Sequence, residues 1–136
     1  MHHHQQLLAD LIDAFKNKDF ETVTNILSPD IIWRWLGTEF ITDIEPGTYV
    51  GLESVAAALI GVDSKISDYQ IDEVIDLAAS DRIGTIWMAC SYLDENGLKQ
   101  HMEENWVFLF ADGKVVEVWD YSRMAFLEKV RNGEVD

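Results

Sequence analysis

The chain has 136 residues, of which 48% are hydrophobic and 26% charged, the size and composition of one globular domain rather than of a disordered segment. Ten Lys and Arg stand against 25 Asp and Glu, a formal net charge of −15. That balance excludes nucleic-acid binding driven by phosphate neutralisation and disfavours anionic membranes. A single cysteine, Cys90, excludes an internal disulfide framework and a cysteine-based zinc site. No apolar run approaches the ~20 residues of a membrane span. Asp10 and Asp13 interrupt the apolar stretch that a signal peptide needs, so a reducing cytoplasm is the expected setting.

No repeat, low-complexity tract or linker divides the chain, and a single domain over 1–136 is expected. Met1 and His2, His3 and His4 read either as a shortened affinity tag or as a native start, and carry no functional weight. His101 is then the one remaining histidine, which argues against a multi-histidine metal site. Leu7, Leu8, Leu11, Ile12 and Phe15 recur at helical spacing and predict a helix over 5–17. A short helix fits 20–27, with Asp19 as its N-cap and Ser28-Pro29-Asp30 as its stop. Ile31 to Leu36 reads as a strand. Residues 37–51 form a loop with Pro46, Gly47 and Gly51, and Leu52 to Ile60 is helical.

Strand formers dominate the second half, over 69–78, 83–93, 98–110 and 115–121. Asp94-Glu95-Asn96-Gly97 and Ala111-Asp112-Gly113-Lys114 are hairpin signals between them. A last helical stretch, Arg123 to Arg131 within 123–132, closes the chain. Helices first and a strand meander afterwards predict an α+β fold, with helices packed on one face of an antiparallel sheet.

Phase along a strand tells which side chains meet the helices. Arg34 marks a wet face, so Trp33 and Trp35 point to the helices. In 98–110, His101, Glu103 and Asn105 share one phase, and Met102, Glu104, Trp106, Phe108 and Phe110 the other. Glu104 thus falls on an otherwise apolar face. In the final strand Glu117 takes one phase, while Val116, Val118, Asp120 and Ser122 share the opposite one. Three tryptophans and two carboxyls, Glu104 and Asp120, therefore line one side. A buried carboxyl needs a partner or a proton, and an apolar surround raises its pKa towards values useful in acid/base chemistry.

Each of these residues also has a plain structural reading. The tryptophans serve equally as core. Asp120 lies where it could cap the closing helix, and a bulge in the strand could turn Glu104 to solvent. His101 falls on the outer phase, as a surface or subunit-contact residue, and Cys90 reads as a small buried hydrophobe. Ten acids and one base over 39–81 read as a solvated surface, or as a face for a cationic partner. No phosphate loop and no Ser/His/Asp set can be assembled.

Four stretches carry a family resemblance. They are Ala14-Phe15-Lys16-Asn17-Lys18-Asp19-Phe20; Leu27-Ser28-Pro29-Asp30-Ile31-Ile32-Trp33; Gly47-Thr48-Tyr49-Val50-Gly51-Leu52-Glu53-Ser54-Val55; and Asp112-Gly113-Lys114-Val115-Val116-Glu117-Val118-Trp119-Asp120. In these, and in element order over 5–122, the chain resembles the nuclear transport factor 2-like superfamily, in its SnoaL-like polyketide cyclase and ketosteroid isomerase branch. The resemblance implies a curved sheet with helices closing a conical apolar pocket, commonly in a homodimer. It also marks departures. The catalytic aspartate of ketosteroid isomerases falls at Trp35, their first-helix tyrosine near Leu11 and their second aspartate near Trp106, so steroid chemistry of that kind is unsupported. The aspartate pair of limonene epoxide hydrolases and the histidine pair of scytalone dehydratases are absent. What survives is a SnoaL-like acidic residue near the end of the last strand, at Asp120.

The expected function is a cofactor-independent and metal-independent acid/base enzyme of isomerase, cyclase or dehydratase type, acting on a hydrophobic carbonyl or polycyclic small molecule. Asp120 is its acid/base group and Glu104 a second carboxyl that raises or shares its proton. Trp33, Trp35 and Trp106 supply flat walls, with Phe15, Leu11, Met102 and Val118 beside them and Tyr49 as a hydroxyl donor. Two alternatives stand: a non-catalytic domain that binds a small molecule in the same place, and a dimeric adaptor.

Overall fold

The computed structural model describes residues 3–36, 47–65, 67–94 and 96–124. Two helices open the fold, α1 (His3–Lys16) and α2 (Phe20–Ile26), followed by strands β1 (Leu27–Trp35) and β2 (Gly47–Val50). Helix α3 (Leu52–Lys65) leads into β3 (Ser67–Ala79), β4 (Ile83–Leu93), β5 (Lys99–Ala111) and β6 (Lys114–Met124). The six strands form one curved, unclosed sheet in the order β2-β1-β6-β5-β4-β3. The class is α+β, as the sequence predicts.

Local chemistry explains the boundaries. The Asp19 carboxylate accepts from the Thr22 backbone N–H at 3.2 Å and from its hydroxyl at 2.6 Å, which caps α2 as expected. Helix α1 starts earlier than the apolar pattern suggests, at His3. His4 is buried, stacks on Phe110 with ring centroids 4.1 Å apart, and bonds the Ser80 carbonyl at 2.9 Å. Gly84 lets α1 come down onto β4, because a Cβ there would lie 2.8 Å from Leu8 Cδ1.

Three expectations need correction. Ser28-Pro29-Asp30 does not separate helix from strand, because β1 already begins at Leu27. Proline has no N–H for a ladder, and the β1–β6 register breaks between Leu27 and Ile32. The sheet is not wholly antiparallel, since β1 runs parallel to β6. A half-buried strand reveals its wet and dry faces in sequence but not the direction of its neighbour. Residues 123 and 124, expected to begin the closing helix, extend β6 instead. The remainder of that helix and the loop over 37–46 lie outside the described residues, and part of the expected 37–51 loop is strand β2.

The core lies between the helices and one face of the sheet. Leu8, Leu11, Val23, Ile31, Met88, Phe108, Val115 and Val118 are fully buried there. At roughly 1.5–3 kcal/mol per large apolar side chain, these contacts are what hold the helices to the sheet.

Candidate functional site

Register across β6, β5 and β4 sets the site in rows on the helix-facing side. Asp120 stands opposite Trp106, and Trp35 pairs with Asp120 from the parallel strand. In the next row Ser122 stands opposite Glu104, which in turn faces Met88. Asp120 and Glu104 are therefore diagonal neighbours on adjacent strands, within reach of a shared side chain. Ser122, two residues beyond Asp120, projects between them.

Both acids are enclosed: Glu104 is 5% exposed and Asp120 7%. Asp120 Oδ2 accepts from the Trp33 indole Nε1–H at 3.0 Å, and Ser122 Oγ lies 3.2 Å from Asp120 Oδ1. The same hydroxyl oxygen lies 3.3 Å from Glu104 Oε1. On its other side, Glu104 Oε2 accepts from the Tyr69 hydroxyl at 2.7 Å and from the Cys90 thiol at 3.2 Å.

Burial first, and then the negative charge of Glu104, push the Asp120 carboxyl up to about 8 from an ordinary 3.8, against donation from Trp33 and Ser122. Burial likewise raises Glu104, opposed by its bonds from Tyr69, Cys90 and Ser122. Burial and the neighbouring Glu104 lift the Cys90 thiol far out of the thiolate range, so it is a donor here and not a nucleophile. They raise Tyr69 as well. Two carboxyls this close, in so little water, do not ionise independently.

Aromatic rings form the surroundings. Trp106 meets Trp33 edge-on with centroids 5.4 Å apart, and Phe15 of α1 meets Trp106 at 5.3 Å. The Trp106 Nε1–H is buried and makes no hydrogen bond, although the indole lies near enough to Asp120 to favour its ionised form. Tyr49 of β2 is half-buried beside Trp33 in register. Trp35 and Met102 are buried at 8% and 4% exposure, and Leu11 and Val118 lie wholly inside the core.

The structure thus brings together Glu104, Asp120, Trp33, Trp106 and Phe15. Two plain readings drop out. Glu104 does not escape through a bulge, since the β5–β6 register shifts only between Leu109 and Phe110. Asp120 does not cap a helix at Arg123, because it lies inside β6. Sequence reasoning missed Tyr69, although its parity with Ile71 on β3 is the signal that would have found it. It noted the phase of Ser122 without giving the residue a part. Glu103, which shares a phase with His101 and Asn105, is buried on the opposite face, where Asn105 Nδ2 donates to it at 3.0 Å. His101 is exposed, as expected.

Among the described residues, no group of three or more His, Cys, Asp or Glu side chains is placed to hold a metal ion. No described helix is long and apolar enough to cross a membrane.

Residues 8–118 match the family model of the SnoaL-like domain. An NTF2-like protein of unknown function from Burkholderia pseudomallei superposes with a TM-score of 0.78 at 20% identity, over 96% of this chain and 97% of the other. TerC, co-crystallised with polyporic acid, gives a TM-score of 0.72 at 15% identity over 85% and 87% of the two chains. An LEH-like epoxide hydrolase from M. tuberculosis gives 0.67 at 17% identity over 86% and 80%. At these identities the likeness is one of fold. No curated protein matches the sequence.

Proposed function

This chain belongs to the SnoaL-like domain family, and from that premise we propose that it is a cofactor-independent acid/base enzyme acting on a hydrophobic carbonyl compound. Its reaction is isomerisation, cyclisation or dehydration. One observation carries the reading: Asp120 is buried, raised to about 8, and held in place by Trp33 and Ser122 beside a second buried carboxyl. A purely structural acid is better placed at the surface or paired with a cation, because burying it among rings costs several kcal/mol. A carboxyl titrating near neutrality can both give and take a proton, a role worth ~10²–10⁴ in rate.

In this reading Asp120 moves the proton at carbon or at the leaving oxygen, and Glu104 holds or shares that proton. Trp33, Trp35, Trp106 and Phe15 form the walls against a flat substrate, with Met102, Leu11 and Val118 behind them and Tyr49 at the side. The buried Trp106 indole lies beside Asp120 and favours its ionised form. TerC supports the small-molecule part of the reading, as a protein of this fold crystallised with polyporic acid.

We also propose that the enzyme is a homodimer through the sheet face turned from the helices. Tyr121, Val50 and Ile83 are exposed there at 56%, 65% and 47%. On the same face Trp87 Nε1 and Glu103 Oε2, a donor and an acceptor, are buried without a hydrogen-bond partner.

The test is a thermal-shift screen of aromatic and polycyclic carbonyl compounds, since a ligand bound to the native state stabilises it by mass action. Compounds that stabilise the protein are then assayed for turnover by the wild type and by Asp120→Asn. Turnover that needs Asp120 supports the enzyme. Tight binding that depends on Trp35 and Trp106, with no turnover, marks a binding protein instead.

A further inference from the structure

We propose that Ser122 is the bridge through which Asp120 and Glu104 exchange a single proton. The inference rests on the acid/base reading of the pair and adds a positioning residue to it.

Ser122 is 4% exposed. Its Oγ stands 3.2 Å from Asp120 Oδ1 and 3.3 Å from Glu104 Oε1, almost midway between two acceptors. A hydroxyl has one proton to donate. If both acids are ionised, only one receives it, and the other faces an oxygen lone pair. If one acid is protonated, the chain closes. Asp120 Oδ1–H then donates to Ser122 Oγ, whose own proton goes to Glu104 Oε1, or the whole chain runs in reverse. Exchange breaks the Oδ1–H bond as Oγ takes that proton, and breaks the Oγ–H bond as Oε1 takes the other. The serine ends neutral, one carboxylate has become the acid and the other the base, and no heavy atom needs to move.

The groups around the pair bias this exchange. Glu104 Oε2 accepts from Tyr69 on β3 and Cys90 on β4, whereas Asp120 Oδ2 accepts from Trp33 alone among the bonds to that oxygen. The 2.7 Å bond from the Tyr69 hydroxyl holds the charge on Glu104, and that charge in turn raises Asp120, so the resting proton lies on Asp120, the acid beside Trp106. When Asp120 must act as a base, the bridge moves its proton to Glu104. Tyr69, Cys90, Glu104 and Asp120 are the titratable groups that meet here from the four strands β3 to β6.

Carbon-13 NMR of the labelled Asp and Glu carboxyls tests the bridge without any substrate, so a failed bridge and a failed enzyme assignment are separate results. In the wild type both carboxyls should respond to both of two titration steps. The bridge stabilises the singly protonated pair against the doubly ionised and the neutral forms. Removing it should lower the upper step and raise the lower one. In Ser122→Ala the separation between steps should shrink by about one pH unit, the scale of one hydrogen bond to a charged group. Ser122→Cys keeps the size with a much weaker donor, so it should show the same narrowing and serves if the alanine variant folds poorly. Ser122→Thr should keep the wild-type separation. A separation unchanged or widened in Ser122→Ala or Ser122→Cys overturns the proposal, because repulsion between the carboxylates alone would survive loss of the hydroxyl. So does a wild type in which each carboxyl titrates in one independent step.

Discussion

The Trp33 indole N–H donates to Asp120 Oδ2 across 3.0 Å, joining the first long strand to the last. The contact exists because β1 and β6 run parallel, with Trp33 beside Val118 and its side chain leaning to Asp120 two residues on. It fixes the orientation of the carboxyl and favours its ionised form.

Trp33→Phe keeps an aromatic ring and removes this donor. The Asp120 titration should then move upward by about one pH unit or more, as expected for the loss of a bond to a charged group. The pH–rate profile should move with it. An unmoved profile in a folded Trp33→Phe protein contradicts the proposed role of the bond.

A second prediction concerns stability. The folded Asp120 carboxyl, at about 8, lies above its ordinary 3.8, and Glu104 is raised in the same direction. Below the ordinary value both folded and unfolded chains hold the proton, and the contribution is fully present. Between the two values only the folded chain holds it, so stability falls as pH rises and the contribution is lost through about 8. Asp120→Asn has no proton to lose. Its Tm relative to the wild type should therefore rise between the ordinary 3.8 and about 8 in thermal melts. Parallel Tm profiles for the two proteins would refute the buried, protonated acid.

Much of this was legible in the sequence, and the reason is periodicity. The parity of Met102, Glu104, Trp106, Phe108 and Phe110 put a carboxyl on an apolar face, and all five are buried. Asp19 announced its cap, and two hairpin turns fixed the meander. The parallel pairing of β1 with β6 was not legible, because pattern gives faces and not neighbours. Tyr69 lay hidden for a related reason. It sits on an irregular edge strand, beside Asp68 with a left-handed φ of 53° and a register shift between Ser67 and Gln70, where parity is hard to carry forward. The burial of Glu103 was not legible either, because parity gives its face, and burial on that face depends on neighbours that no local pattern describes.

The homodimer makes a third prediction. Sedimentation at micromolar concentration should give about twice 15.6 kDa. Tyr121→Glu sets a charge on the exposed face and should shift the protein towards monomer without unfolding it. A wild type that sediments as a monomer at that concentration contradicts the dimer.

The central claim is that Asp120 performs the chemistry, and the most direct measurement is the turnover of Asp120→Asn on a carbonyl compound that stabilises the wild type. The substitution keeps the shape of the side chain and removes its titratable proton. Turnover should fall by ~10²–10⁴-fold, with a much smaller change in affinity. Full turnover by the variant would contradict the account and pass the role to Glu104.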